Sequence, residues 1–145
     1  MIEVRKVQIG EIQDFRNRYL LGNRPATSAI FSGDSANTTF HLGGFTGATL
    51  VSIASFFLEA HPEFSVSPQY RLRQMATATN AQQHGYGKDV LQFGINFIRG
   101  IGAKLLWCHA RQTAFGFYEK QGFCLHGDFF DLESIGPHKA MYLLL

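Results

Sequence analysis

The chain is poor in charge and in cysteine, and it has no long apolar run. Charged residues make up 17% of its 145 residues, below the ~25% usual in globular domains. Thirteen Lys and Arg against eleven Asp and Glu leave a formal charge of +2. That balance excludes a strongly basic nucleic-acid binder and an acidic tail protein. The low charged share points to surface covered by a partner chain, and the apolar C-terminus (residues 141–145) reads as an edge strand needing cover. A homodimer is therefore expected. The longest apolar stretches, residues 140–145 among them, fall far short of the ~18–20 residues of a membrane span. The N-terminus lacks a signal-peptide core and carries acidic residues early. Two cysteines, Cys108 and Cys124, without a CxxC pair, exclude a disulfide framework and a structural zinc site. A cytosolic protein with no membrane partner and no metal is expected.

What is present is a core. Hydrophobic residues are 46% of the chain, with fourteen Phe and fifteen Gly. A single domain of this length buries enough surface to fold without staples. Two prolines at positions 62 and 68 mark a loop between halves of that domain.

The pattern predicts a strand over 2–7 and an amphipathic helix over 11–21, with Ile12, Phe15, Tyr19 and Leu20 at helical spacing. Residues 23–38 read as irregular with one helical turn. Strands are predicted over 39–42 and 48–58, around a turn containing Gly43, Gly44 and Gly47. Over 70–78 alternation puts Arg71, Arg73, Met75 and Thr77 on one strand face, opposite Leu72, Gln74, Ala76 and Ala78. Residues 87–100 form a helix with a stripe of Val90, Gly94, Phe97, Ile98 and Ile101. A strand over 104–110, a helix over 113–121 stopped by Gly122, and strands over 123–132 and 139–145 complete the chain. The order β-α-β-β-β-α-β-α-β-β is α/β with a mixed sheet.

Two segments carry chemistry. In TATNAQQHGYGK (77–88) a strand enters a glycine loop and a helix follows. Free amides at a helix N-terminus bind phosphate, and Gly85 and Gly87 let a ligand approach. It matches neither GxxxxGK[ST] nor GxGxxG, and by itself is also what a plain strand–helix connection looks like. In ARQTAFGFYEKQGF (110–123) Tyr118 shares a helical face with Ala114. Its hydroxyl is a donor on an otherwise apolar side chain, a description a core tyrosine also fits.

Taken together, the segments resemble the GNAT superfamily of acyl-CoA-dependent N-acetyltransferases. Its acyl-CoA motif, Q/R-x-x-G-x-G/A, is matched by Gln82 to Gly87, and its A-x-x-x-Y-E-K-x-G-F signature by Ala114 to Phe123. RQMAT, CHAR and LESIGPHKAM look like the small ElaA-like branch. The resemblance implies a mostly antiparallel central sheet with flanking helices. It implies acetyl-CoA as cosubstrate, with its pyrophosphate on Gln82, Gln83, His84, Gly85, Gly87 and Lys88. The pantetheine arm would pair with Met75, Ala76 and Thr77, where a backbone amide would polarise the thioester carbonyl. Tyr118 would protonate the leaving thiolate. The acceptor would be a primary amine, expected to be a small molecule.

No carboxylate stands on strand 70–78 to serve as the family's general base. Glu133, His138 and His41 are the candidates. His138 suits the role by its ordinary pKa of ~6.5 and equally suits a structural hydrogen bond near Pro137. Glu133 would orient His138 or hold the amine. His109 and His126 read as packing residues, His61 as solvated, Cys108 and Cys124 as small buried hydrophobes. Arg71 and Arg73 fit either an anionic acceptor or internal salt bridges. The family pattern is departed from at Gln82, Thr79 and Arg111, where Arg, Pro and Asn are commoner. A non-catalytic acyl-CoA binder of the same fold is the alternative reading.

Overall fold

The computed structural model describes residues 2–20, 30–132 and 136–145. Strand β1 (Glu3–Val7) leads into helix α1 (Ile9–Leu20), then β2 (Phe40–Thr46), β3 (Thr49–Leu58) and β4 (Gln69–Thr77). A 3-10 turn (Thr79–Ala81) precedes α2 (Tyr86–Gly100) and β5 (Leu105–Arg111). A second 3-10 turn (Gln112–Ala114), α3 (Phe115–Lys120), β6 (Cys124–Leu132) and β7 (Gly136–Leu144) follow. The strands form one sheet in the order β1-β2-β3-β4-β5-β7-β6. Every pairing is antiparallel except β4–β5. The mixed, mostly antiparallel sheet is as expected.

Each face carries its own core. On one, α2 sets Val90, Leu91, Ile95 and Ile98 against Leu42, Phe56 and Leu106. On the other, α1 sets Ile12 and Phe15 against Val51 and Ile53. The α2 stripe runs through Leu91 and Ile95, whereas Ile101, predicted on it, lies past the helix end and is exposed. At Gly94 a Cβ would run into the Phe56 ring, so α2 approaches β3 as closely as backbone allows.

Three expectations are corrected here. Gly43 and Gly44 are not in a turn; β2 continues through them, and the chain reverses at Gly47, where φ is +58°. A Cβ on Gly44 would fall 2.5 Å from Ile2 and 2.9 Å from Val90, so packing, not turn geometry, requires glycine there. The C-terminal strand is interior, between β5 and β6, with Met141 fully buried. The exposed edge is β6, which carries Leu125, Phe129 and Leu132. Cys124 is exposed, while Cys108 is buried and its thiol is pushed up to about 12 by burial. The helical turn expected within 23–38 falls partly outside the described residues; 30–39 is a chain of turns.

Those turns are held by a buried polar lock. Arg16 of α1, with 0% exposure, donates to both Asp34 oxygens at 2.7 and 2.9 Å and to Ser55 Oγ at 2.8 Å. His41 faces Ser55 Oγ through Nδ1 at 2.7 Å and the Asp34 carbonyl through Nε2 at 3.0 Å. His41 therefore belongs to the scaffold and not, as one candidate base, to a catalytic centre. His61 is likewise not solvated. It is 9% exposed, takes the Glu63 N–H on Nδ1 at 3.0 Å and abuts Trp107.

Burial lowers the pKa of His41, His61 and His109, the last to about 4. The unfolded chain then takes up protons that the native state refuses, so stability falls as pH drops from ~6.5 toward 4. Thermal melts at constant ionic strength are expected to show a lower Tm at pH 5 than at pH 7.5. A flat profile would refute the neutral, buried assignment of these rings.

Candidate active site

The site opens where two strands part. β4 and β5 pair only from Gln69↔Leu105 to Arg71↔Trp107. Beyond that point the edge of β4 facing β5 has no strand partner, and a cleft of about 920 Å³ lies between them. Unpaired strand groups are obligatory donors and acceptors, so this edge is a template for an extended ligand.

A bulge re-aims β4 at the same place. Ile53 faces Ala76 while Ser55 faces Arg73, so Ala54 stands opposite one residue too many. Gln74 absorbs it with φ +57°. The predicted alternation is overturned here. Met75 packs with Leu72 on the α2 face, and Ala76 turns to the α1 face. The bulge puts Met75 and Thr77 on the side opposite Arg73, because an extra residue shifts a period-2 pattern by one.

At the end of β4 the glycine loop adopts the anticipated geometry. Gln83 and Gly85 take positive φ, +68° and +79°. No side chain caps Gly85, and the first helical amide with an acceptor inside α2 is Asp89, 3.0 Å from the Gly85 carbonyl. The amides of Tyr86, Gly87 and Lys88 precede it and have no acceptor within the helix. Gln82 Nε2 donates to the Thr77 carbonyl at 3.3 Å, tying the loop to the strand. A Cβ on Gly87 would lie 3.3 Å from Thr77 Oγ1 and 3.4 Å from Met75 Cε. Glycine thus lets the helix start lie against the strand end. The result is a row of donors at a positive helix terminus, fit for a diphosphate.

Met75, Ala76, Thr77, Gln82, Gln83, Gly85, Gly87 and Lys88 all line this cleft. His84 does not. It stacks on Tyr86 with 5.3 Å between centroids and lines a neighbouring cleft beside α1. Glu133 lies outside the described residues.

Tyr118 closes the far wall. Its predicted helix is split, with Ala114 in the 3-10 turn and Tyr118 in the short α3. Gly122, at φ +96°, ends α3, and Phe123 N–H reaches back to the Tyr118 carbonyl. Among the described residues the Tyr118 hydroxyl meets the thioether of Met75, at 3.9 Å. Burial first, then the nearby Cys108, raises its pKa well above the usual ~10. The half-buried phenol is protonated, and a thioether is a weak acceptor for its hydrogen.

Two histidines reach the cleft from β5 and β7. Arg71 donates from Nη2 to His109 Nδ1 at 3.2 Å, which leaves the ring hydrogen on Nε2. His109 cannot accept a proton at Nε2 in that tautomer. His138 Nδ1 lies 2.8 Å from the Gly136 carbonyl, an acceptor, so the hydrogen sits on Nδ1 and Nε2 keeps its lone pair. The structural hydrogen bond expected for His138 near Pro137 is thus present. The β4 bulge and the cleft position of His109 had no sequence signal.

An open strand edge, a row of unpaired helix-start amides and a half-buried phenol meet in this one cleft. The acetyltransferase (GNAT) family profile matches residues 10–123. An N-acetyltransferase of Bacillus subtilis, YitI, itself uncharacterised, is 32% identical over 100% of this chain and 97% of its own. Among solved structures, Escherichia coli ElaA superposes with a TM-score of 0.78 at 14% identity, covering 98% of this chain and 99% of that one. The E. coli ribosomal-protein-S18-alanine N-acetyltransferase gives 0.77 at 16% identity over 99% and 94%. The chain belongs to the GNAT family and is an N-acetyltransferase. No helix among the described residues is long and apolar enough to cross a membrane.

Proposed function

We propose that this enzyme moves an acetyl group from acetyl-CoA to the amine of a small-molecule acceptor by direct transfer. The observation that carries the reading is the position of the Tyr118 hydroxyl against Met75, across from the open edge of β4. The amides of Tyr86, Gly87 and Lys88, with the Lys88 charge, would hold the pyrophosphate. The β4 edge from Met75 to Thr77 would pair with the pantetheine amides. Acetyl-CoA supplies the activated thioester.

The residues then divide the proton traffic. An amine attacks only with its lone pair free, and in this reading His138 Nε2 takes the proton it sheds and passes it to solvent. A β4 amide beside the bulge faces the charge that develops on the carbonyl oxygen. The nitrogen–carbon bond forms as the carbon–sulfur bond breaks, and Tyr118 gives its proton to the departing sulfur. The thiol leaves neutral, and the phenolate regains a proton from solvent.

The test is calorimetric titration with acetyl-CoA, followed by thiol release with a panel of amines. Saturable binding with turnover supports the proposal. Binding without turnover on any amine counts against the acceptor class, and no binding overturns the role of loop 82–88.

A further inference from the structure

The splay of β4 and β5 exposes a cation without a counter-ion. Arg73 lines the cleft on the side of Tyr19, Leu20 and Phe31, before the bulge. The nearby charges form an odd set. Arg16 occupies both oxygens of Asp34, and Arg71 Nη1 holds Glu59 Oε2 at 2.9 Å. Both carboxylates whose fields reach Arg73 are thus engaged by other guanidinium groups, and Arg16 and Arg71 themselves repel it. Three guanidinium groups share two carboxylates. Arg73 forms no ion pair and no hydrogen bond among the described residues; its contacts are the rings of Phe57 and Phe31, with 5.4 and 5.8 Å to their centroids.

Ring contacts consume none of the guanidinium's N–H donors, so the fork that a carboxylate matches with two parallel bonds is not used by Phe31 or Phe57. The fork also stands apart from the phosphate cradle. Residues 73 and 77 are separated by roughly 10–13 Å of strand, with the transfer point near Met75 between them. An anion at Arg73 would therefore belong to the acceptor and not to the acyl donor. Burial of an unpaired cation is costly, and a bound anion relieves it.

We propose that the acceptor amine carries a carboxylate, and that Arg73 receives it at the mouth of the β4–β5 splay. The inference rests on the N-acetyltransferase reading and narrows its substrate to amino-carboxylates. A single positive charge matches a monoanionic carboxylate, and the planar fork matches its two oxygens.

The test uses thiol release with paired acceptors: the α-amino acids, β-alanine and γ-aminobutyrate, each against its carboxamide, with spermidine, tryptamine and phosphoethanolamine as controls. The carboxylate is expected to win over its own amide by at least about tenfold in kcat/KM. In Arg73→Gln that preference is expected to collapse to within about threefold, and Arg73→Lys to restore part of it. Arg73→Lys also serves if Arg73→Gln melts early, and the wild-type preference stands without either variant. Amides, polyamines or phosphoethanolamine turned over as well as carboxylates would overturn the inference while leaving N-acetyl transfer intact. Should no amine be turned over, NMR titration of the CoA complex with γ-aminobutyrate decides. Saturable binding lost in Arg73→Gln would keep the carboxylate site and sink the transfer reading, and its absence in the wild type would overturn the site as well.

Discussion

Tyr118→Phe is expected to lower kcat by about two orders of magnitude or more, within the range that positioned acids contribute. The loss should fall on kcat with little change in affinity for CoA, because the ring and its packing on Phe117 and Phe123 are kept. The phenol is held protonated by burial, so its hydroxyl remains a hydrogen-bond donor across the pH range in which the fold survives. Acceptors are then expected to lose activity in parallel, since the hydroxyl acts on the sulfur and not on the amine. An unchanged kcat in Tyr118→Phe, with chemistry shown to limit turnover by single-turnover rates, would remove the phenol from the mechanism. A loss confined to CoA affinity would make it a binding residue.

Asp34→Ala is expected to cost about 3–5 kcal/mol, the usual penalty for stripping a buried cation of its partner. For a domain of this size that is a fall in Tm of roughly 10–20 °C. Removing the carboxylate also undoes its bond to the Phe31 amide at 2.6 Å, and with it the turn that carries Phe31 into the cleft. The effect should follow pH. Desolvation raises the Asp34 pKa, but the Arg16 bond, the Phe31 amide and the nearby positive charge outweigh it, so the net shift is downward. A carboxyl with a depressed folded pKa contributes stability above its ordinary value of 3.8 and loses it as pH falls through the lower folded value. Urea titrations of the two proteins should therefore differ most at neutral pH and converge in acid. A difference under about 1 kcal/mol at pH 7 would put the lock among interactions that merely coexist with the fold.

The contrast between Tyr118 and Asp34 shows what a sequence can disclose. The helix start after the 82–88 loop and the stop at Gly122 were legible because local geometry does the work, whereas Tyr118 stood out only through the family signature around it. The α2 stripe was legible for the same reason, since its period is written in consecutive residues. Arg16, Asp34, His41 and Ser55 carry no such signal. They are separated by up to 39 residues and read singly as surface polars, and only tertiary closure makes them one network. Gly43 and Gly44 misled because glycine serves turns and close packing alike, and the deciding neighbour, Val90, lies on a distant helix. The bulge was hidden most thoroughly. A glutamine at φ +57° has no compositional mark, yet it sends Met75 and Arg73 to opposite faces of the sheet.

The chain's single tryptophan has an optical consequence. Trp107 closes the last rung of the β4–β5 ladder, with its indole N–H on the Glu59 carbonyl at 2.9 Å. Arg71 lies over the ring at 4.7 Å, and His61 and His109 stand 4.9 and 5.2 Å away, centroid to centroid. All indole emission from this protein therefore originates at the fork where the strands diverge. Because a protonated imidazole quenches indole while a neutral one does so far less, brightness there reports the charge of two neighbouring rings. The natural protein already contains a reporter of strand separation, readable in a cuvette without a label.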